Sequence, residues 1–160
     1  MKLSFDRAVS YYDQTRSEPD WVMDKVAETF LRETHATYKS KILEVGIGTG
    51  RIAMPLLKRG LQIIGADLSR PMMQELQKKT SGSDSRVILV QADAATLPFR
   101  SEGFDLLYAV HVYHLVAHWQ DALLEAQRVL KRGGHMLVSF HYRSPDSPNR
   151  KIRQKLAALS

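Results

Sequence analysis

From Lys41 onward, short apolar runs rich in β-branched residues alternate with stretches of helical periodicity. No other feature of the chain narrows its fold as far. Residues 41–47 (KILEVGI) form the first run, and residues 51–60 (RIAMPLLKRG) carry a helical apolar face that closes on Gly60. Pro55 falls inside that face and predicts a short or kinked helix. Residues 61–69 (LQIIGADLS) are the second run. They lead into 69–79 (SRPMMQELQKK), with Ser69 as N-cap and Pro71 in the first turn, where proline is tolerated. After a loop at 80–85 (TSGSDS) come a third run at 86–93 (RVILVQAD) and a fourth within 104–116 (FDLLYAVHVYHLV). Residues 119–134 (WQDALLEAQRVLKRGG) read as an amphipathic helix with Ala122, Leu123, Ala126, Val129 and Leu130 on one face. Lys131, Arg132 and two glycines mark its end. Residues 135–142 (HMLVSFHY) are the fifth run.

Strands that alternate with helices at this spacing predict βαβ units and a parallel sheet. The runs are apolar nearly throughout, as strands covered on both faces must be. Upstream, residues 6–16 and 19–36 read as two helices, the second with Val22, Val26 and Phe30 at steps of four. Downstream, 143–150 (RSPDSPNR) resembles a linker before a short final helix at 151–159.

The 160 residues favour one domain with a real core. There is no cysteine, which removes disulfides, zinc–thiolate sites and cysteine nucleophiles. The N-terminal stretch lacks the apolar segment of a secretory signal, and no run of apolar residues is long enough to span a bilayer. A cytoplasmic chain is the expectation. The net charge of +6 is uneven, because residues 143–160 carry +4 of it. That basic tail reads as a solvated terminal segment, the alternative being a contact with nucleic acid or an acidic partner.

The glycine-rich stretch at 43–51 (LEVGIGTGR) sits at the first βα turn, where doubly wound sheets bind their ligands. Gly46, Gly48 and Gly50 either let a ligand approach the backbone or let a helix pack closely on a strand. Their G-x-G-x-G spacing departs from the dinucleotide fingerprint G-x-G-x-x-G, and no Walker loop is present. Asp67 ends the second strand, 21 residues after Gly46. A carboxylate there can accept from both hydroxyls of a ribose, or cap the next helix. Asp93 ends the third strand. With Ala94 it can read an adenine edge, or form an ordinary turn. No cluster of carboxylates with histidines proposes a metal site.

In order and spacing, LEVGIGTGR, GADLS, ADAATLPF, FDLLYAVHVYHLV and ALLEAQRVLKRGGHMLVSF resemble the successive motifs of class I S-adenosylmethionine-dependent methyltransferases. The similar group is the small-molecule one, like the ubiquinone/menaquinone-biosynthesis methyltransferases. The resemblance runs from about residue 38 to residue 142. It implies an α/β, doubly wound, mostly parallel Rossmann-like sheet with helices on both faces. It implies a single domain over 1–160: an N-terminal helical cap at 1–37, the Rossmann-like core at 38–142, and the basic segment at 143–160. The cofactor implied is S-adenosyl-L-methionine. Glu44, Gly46, Gly48 and Gly50 would hold its methionine end. Asp67 would take the ribose, with Leu68 and Met72 beside the adenosine, and Asp93 and Ala94 would read the adenine. Val110 and His111 would lie near the sulfonium, and Tyr11, with Tyr12, would belong to a covering helix. Among the histidines after the fourth strand, His114 is the candidate base or substrate contact. His141 and Tyr142, after the fifth strand, are candidates for the acceptor pocket.

One departure stands out. Such folds continue past the fifth strand with a helix and an antiparallel strand pair, and here only the helix has room before Ser160. The sheet would then lack the last two strands of the family, either because the sequence is a piece of a longer protein or because the edge is covered otherwise. An uncovered apolar edge invites pairing, and a homodimer would be one remedy. The expected partner is a small-molecule acceptor. Nucleic acid at the basic tail is the less favoured alternative, and no membrane is implied.

Overall fold

The computed structural model describes residues 5–82 and 86–139. The basic segment, the linker, the final helix, His141 and Tyr142 lie outside the described residues. A 3-10 turn at Asp6–Ala8 leads into α1 (Val9–Arg16) and then α2 (Asp20–Thr34). The strands and helices then alternate as β1 (Ile42–Val45), α3 (Ala53–Leu57), β2 (Ile63–Asp67), α4 (Arg70–Thr80) and β3 (Val87–Gln91). The chain continues through β4 (Phe104–Val110), a 3-10 turn at Tyr113–Leu115, α5 (Trp119–Val129) and β5 (Leu130–Ser139).

The five strands form one sheet in the order β3-β2-β1-β4-β5, and every pair is parallel. The period-2 alternation of strand side chains splits the core between the two sheet faces. Ile42, Ile63, Leu106 and Tyr108 face α2, α3 and α4 with Phe30, Leu56, Met73 and Leu76. Leu43, Val45, Leu107 and Ala109 face α5 with Ala122, Ala126 and Val129. Helices therefore cover both faces, as the sequence pattern predicts. No described helix is long and apolar enough to cross a membrane.

Local chemistry accounts for the helix boundaries. Ser69 caps α4 through its hydroxyl, which accepts from Met72 N at 3.3 Å, and Pro71 lies in the first turn. Helix α3 is five residues long, and Pro55 falls in its first turn, where a missing N–H costs nothing. Three expectations are corrected. In α2 the core-facing side holds Ala27 and Phe30, with Met23 and Leu31 packed beside them; of the residues at steps of four Phe30 is buried, Val22 half-buried and Val26 exposed. Helix α5 ends at Val129, because Leu130 is already extended (ψ 139°). Leu130 through Gly134 then belong to β5, in a ladder with a register irregularity opposite Phe104 and Leu106. Lys131 accordingly pairs with Asp105 on β4 instead of serving a helix end.

Candidate functional site

The order of the sheet sets where a site can form. Strand β1 lies between β2 and β4, so the connections leaving its end and theirs diverge and open a crevice beyond the C-terminal strand ends. An open-mouthed cavity of about 170 Å³ occupies that crevice. Its floor is Val45, Gly46 and Gly48 after β1. One wall is Asp67, Leu68, Ser69 and Met72, and another is Ala92–Ala95 after β3. The far side is Val110–Val112 and Leu115–His118, and Phe5 and Tyr12 reach over from the N-terminal cap.

Asp67 is the structural hub. Its Oδ2 accepts from Gly48 N at 2.8 Å, and its Oδ1 accepts from Ser69 N at 2.8 Å. One carboxylate thus ties the glycine loop to the start of α4. Burial pushes its pKa up, opposed by the N–H groups of Ser69 and Gly48. A carboxylate has about four lone-pair sites, so two bonds leave capacity for hydroxyl donors from the cavity.

The glycines divide between the two explanations open to them. Gly46 (φ +74°) lines the cavity, and a Cβ there would meet Val112 Cγ2 at 2.3 Å. Gly48 also lines it and supplies the N–H to Asp67. Gly50 (φ +80°) does not line it. A Cβ there would meet Leu76 Cδ1 at 2.4 Å, so this glycine lets α4 pack against the loop.

Glu44 lies beneath the loop and does not line the cavity. It is 3% exposed, and its Oε2 accepts from Tyr108 Oη at 2.6 Å. Burial raises its pKa to about 8, against the lowering effect of the Tyr108 hydrogen bond. Tyr108 is itself fully buried, with its ring edge-on to Phe30.

The other expected residues fall as follows. Leu68, Met72, Asp93, Ala94, Val110 and His111 all line the cavity. Asp93 Oδ1 accepts from Ala95 N at 2.9 Å, so its side chain also shapes the turn that carries Ala94. His111 adopts a left-handed backbone (φ +58°), a conformation that bulky residues keep only where the surroundings impose it. His114 is exposed and does not line the cavity; its ring meets His111 edge-on at 6.3 Å. His118 does line it. Tyr11 is 51% exposed and outside the lining, and its neighbour Tyr12 takes the cavity position. His114 and His118 stand four apart, yet among the described residues no group of three potential ligands could hold a metal.

Two residues that the sequence pattern does not single out hold the Asp93 loop. Arg128 of α5 donates to Phe99 O (2.7 Å) and Leu97 O (3.0 Å). Glu125 pairs with Arg128 and accepts from Leu97 N at 2.8 Å. Their signal in the sequence is only a charged pair three apart on a helix.

The site residues can do three things chemically. They can receive hydroxyl donors at Asp67, enclose a flat heterocycle between Met72 and the Ala94 turn, and face an apolar molecule with Val110, Val112, Leu115 and Val116. Residues 43–138 match the model of the methyltransferase-domain family. The chain is 29% identical over 143 residues to a phosphatidylethanolamine N-methyltransferase of Cereibacter sphaeroides, covering 86% of this chain and 70% of that one. It is 34% identical over 100 residues to a demethylmenaquinone methyltransferase of Thermus thermophilus, covering 61% of this chain and 46% of the relative. It is 29% identical over 147 residues to a ubiquinone/menaquinone biosynthesis C-methyltransferase of Syntrophotalea carbinolica, covering 90% and 62%. The chain thus spans about half to two thirds of the length of several curated relatives it matches. Among solved structures, a Methanococcus maripaludis protein, provisionally named an S-adenosyl-L-methionine-dependent methyltransferase, shares the fold. Its TM-score is 0.78 at 20% identity, covering 99% of this chain and 72% of that one. A SAM-dependent methyltransferase from Thermotoga maritima aligns with a TM-score of 0.65 at 26% identity, covering 98% and 68%.

Proposed function

Because the chain belongs to the methyltransferase-domain family, we propose that its cavity binds S-adenosylmethionine and that the protein methylates a small, uncharged acceptor with an apolar body. The observation that carries this reading is Asp67, held at the cavity wall by the N–H groups of Gly48 and Ser69, with the Asp93–Ala94 turn following the neighbouring strand and lining the same cavity. When bound, the cofactor supplies an electrophilic methyl group on a sulfonium, so the protein's task is placement and environment. Asp67 would take the ribose hydroxyls, Met72 and Leu68 would pack on the adenosine, and Asp93 with Ala94 would face the adenine edge. Gly46 and Gly48 would lie along the methionine portion. Glu44, bonded to Tyr108 and outside the cavity lining, would not touch the cofactor.

The acceptor class follows from the remaining wall. Val110, Val112, Leu115 and Val116 offer apolar surface, and no Lys or Arg is among the described lining residues. A phosphate-rich acceptor would need such cations. The relatives named for demethylmenaquinone and for ubiquinone/menaquinone biosynthesis support the same choice. An acceptor that sheds a proton on methylation needs a base at this wall, and His111 and His118 are the imidazoles that line it. Calorimetry with S-adenosylhomocysteine tests the cofactor reading: saturable binding is expected, and none at millimolar ligand would refute it. Methyl transfer from labelled S-adenosylmethionine to a reduced naphthoquinone, compared with a phosphorylated naphthol, tests the acceptor reading.

A further inference from the structure

The leading part of the N-terminal cap, the Asp6–Ala8 turn with α1, reaches over the cavity without being anchored in the core, whereas α2 packs into it. Neither the Asp6–Ala8 turn nor α1 contributes a buried residue. Apolar burial is the usual means by which a helix is held to a domain. Here polar contacts take over. Asp13 of α1 accepts from Thr49 Oγ1 at 2.6 Å and pairs with Lys79 Nζ at 2.6 Å. Lys79, at the end of α4, also donates to Thr49 O at 2.9 Å. Cap, glycine loop and α4 therefore meet in one closed ring of hydrogen bonds. A second tie runs from Ser69 Oγ to Asp6 Oδ1 at 2.5 Å. Both ties end on the two turns that form the cavity floor and wall, and Phe5 and Tyr12 on the cap line the cavity between them.

We infer that Asp13 and Lys79 are positioning residues: they latch the cap to the glycine loop and thereby set how fast the cofactor leaves. This rests on the S-adenosylmethionine reading. With the cap latched, Phe5 and Tyr12 lie over the cavity and narrow its mouth, and Thr49 fixes the loop that carries Gly48. Release then requires the ring to open. Lys79 and Asp13 are partly exposed, at 35% and 46% for their side chains, so salt screens their attraction. Cofactor exchange should therefore accelerate with ionic strength, although the cofactor's own contacts lie in the sheltered cavity.

Displacement of S-adenosylhomocysteine followed by stopped flow is the test. Asp13→Asn and Lys79→Met should each raise the dissociation rate about tenfold, while the thermal midpoint of the unliganded protein moves by less than about 2 °C. Lys79→Arg, which keeps the charge, should stay within about twofold of the parent. The parent's dissociation rate should rise between about 50 mM and about 500 mM salt, and the rise should vanish in Lys79→Met. Dissociation rates for Asp13→Asn and Lys79→Met within about twofold of the parent would overturn the latch. If the parent does not bind S-adenosylhomocysteine at all, the cofactor reading fails and the latch is judged separately. Hydrogen exchange on the unliganded protein should then show residues 9–16 and 48–50 opening faster in Asp13→Asn, and unchanged exchange there would also overturn it.

Discussion

At the scale of single residues, Asp67 and Glu44 show how two carboxylates 23 positions apart acquire different tasks from their surroundings. Asp67 faces two backbone donors, one at each oxygen. An amide in its place offers one acceptor and one donor, so Asp67→Asn sets an NH2 group against either Gly48 N or Ser69 N. The variant should lose about 1–3 kcal/mol of stability, the cost of one buried donor left unmade. Its affinity for S-adenosylhomocysteine should fall at least about tenfold, read by calorimetry beside thermal unfolding. Glu44 predicts a pH effect. Folded, it keeps its proton up to about pH 8, whereas its usual value is 4.5. The folded state thus binds the extra proton, and stability is lost as pH rises through the window from 4.5 to about 8. Glu44→Gln fixes a neutral acceptor for Tyr108. The fall in thermal midpoint between pH 5 and pH 8 should be smaller in the variant by roughly 5 °C or more.

Gly46, Gly48, Asp67 and Asp93 were legible in the sequence because each sits beside the end of a strand, and strand ends are marked by local pattern. The partner of Glu44 was not, because Tyr108 is 64 residues away and is brought close only by the pairing of β1 with β4. Nor could the sequence choose between Tyr11 and Tyr12. Helix α1 buries nothing, so it has no apolar stripe to orient it, and neighbouring residues on a helix point about 100° apart. His111 and His114 pose the same difficulty. The backbone turns left-handed at His111 and enters a 3-10 turn at Tyr113, and no period carries through that bend.

At the scale of elements, the alternation of strands and helices was read correctly, but what fixes the connections was not. The segment between β3 and β4 contains no helix, so its carbonyls must find partners elsewhere. Arg128 supplies them with a planar guanidinium that reaches Leu97 O and Phe99 O at once, while Glu125 holds its other edge. Helix α5 therefore acts as a clamp on the turn that carries Asp93. Its amphipathic stripe was legible; the clamp on its polar side depended on a long-range contact that no spacing encodes. Lys has a single ammonium and cannot span both carbonyls. Arg128→Lys should weaken S-adenosylhomocysteine binding about three- to tenfold with the fold intact, and Arg128→Ala should add a loss of about 1–2 kcal/mol in stability. Chemical denaturation and calorimetry on the same samples separate the two effects.

At the scale of the whole molecule, the core lies on the two sheet faces, while the Asp6–Ala8 turn and α1 add nothing to it and lend Phe5 and Tyr12 to the cavity lining. The buried residues on one face begin at α2 and those on the other at β1, and none comes from the cap's turn or from α1. The cap's attachments are partly exposed polar contacts, worth little to the unliganded fold. A ligand that binds only the folded protein adds stability by mass action, about 2.7 kcal/mol at a hundredfold excess over its dissociation constant. For a chain of this size that corresponds to a rise of roughly 5–10 °C in the thermal midpoint. Removing residues 1–17 should therefore leave the unliganded midpoint within about 3 °C of the parent. At a fixed S-adenosylhomocysteine concentration, however, the same removal should cut the ligand-induced rise by at least about half, since the affinity set by Phe5 and Tyr12 is lost with the cap. A large drop in the unliganded midpoint would mean that the cap belongs to the core, and an undiminished rise would mean that the cavity binds without it.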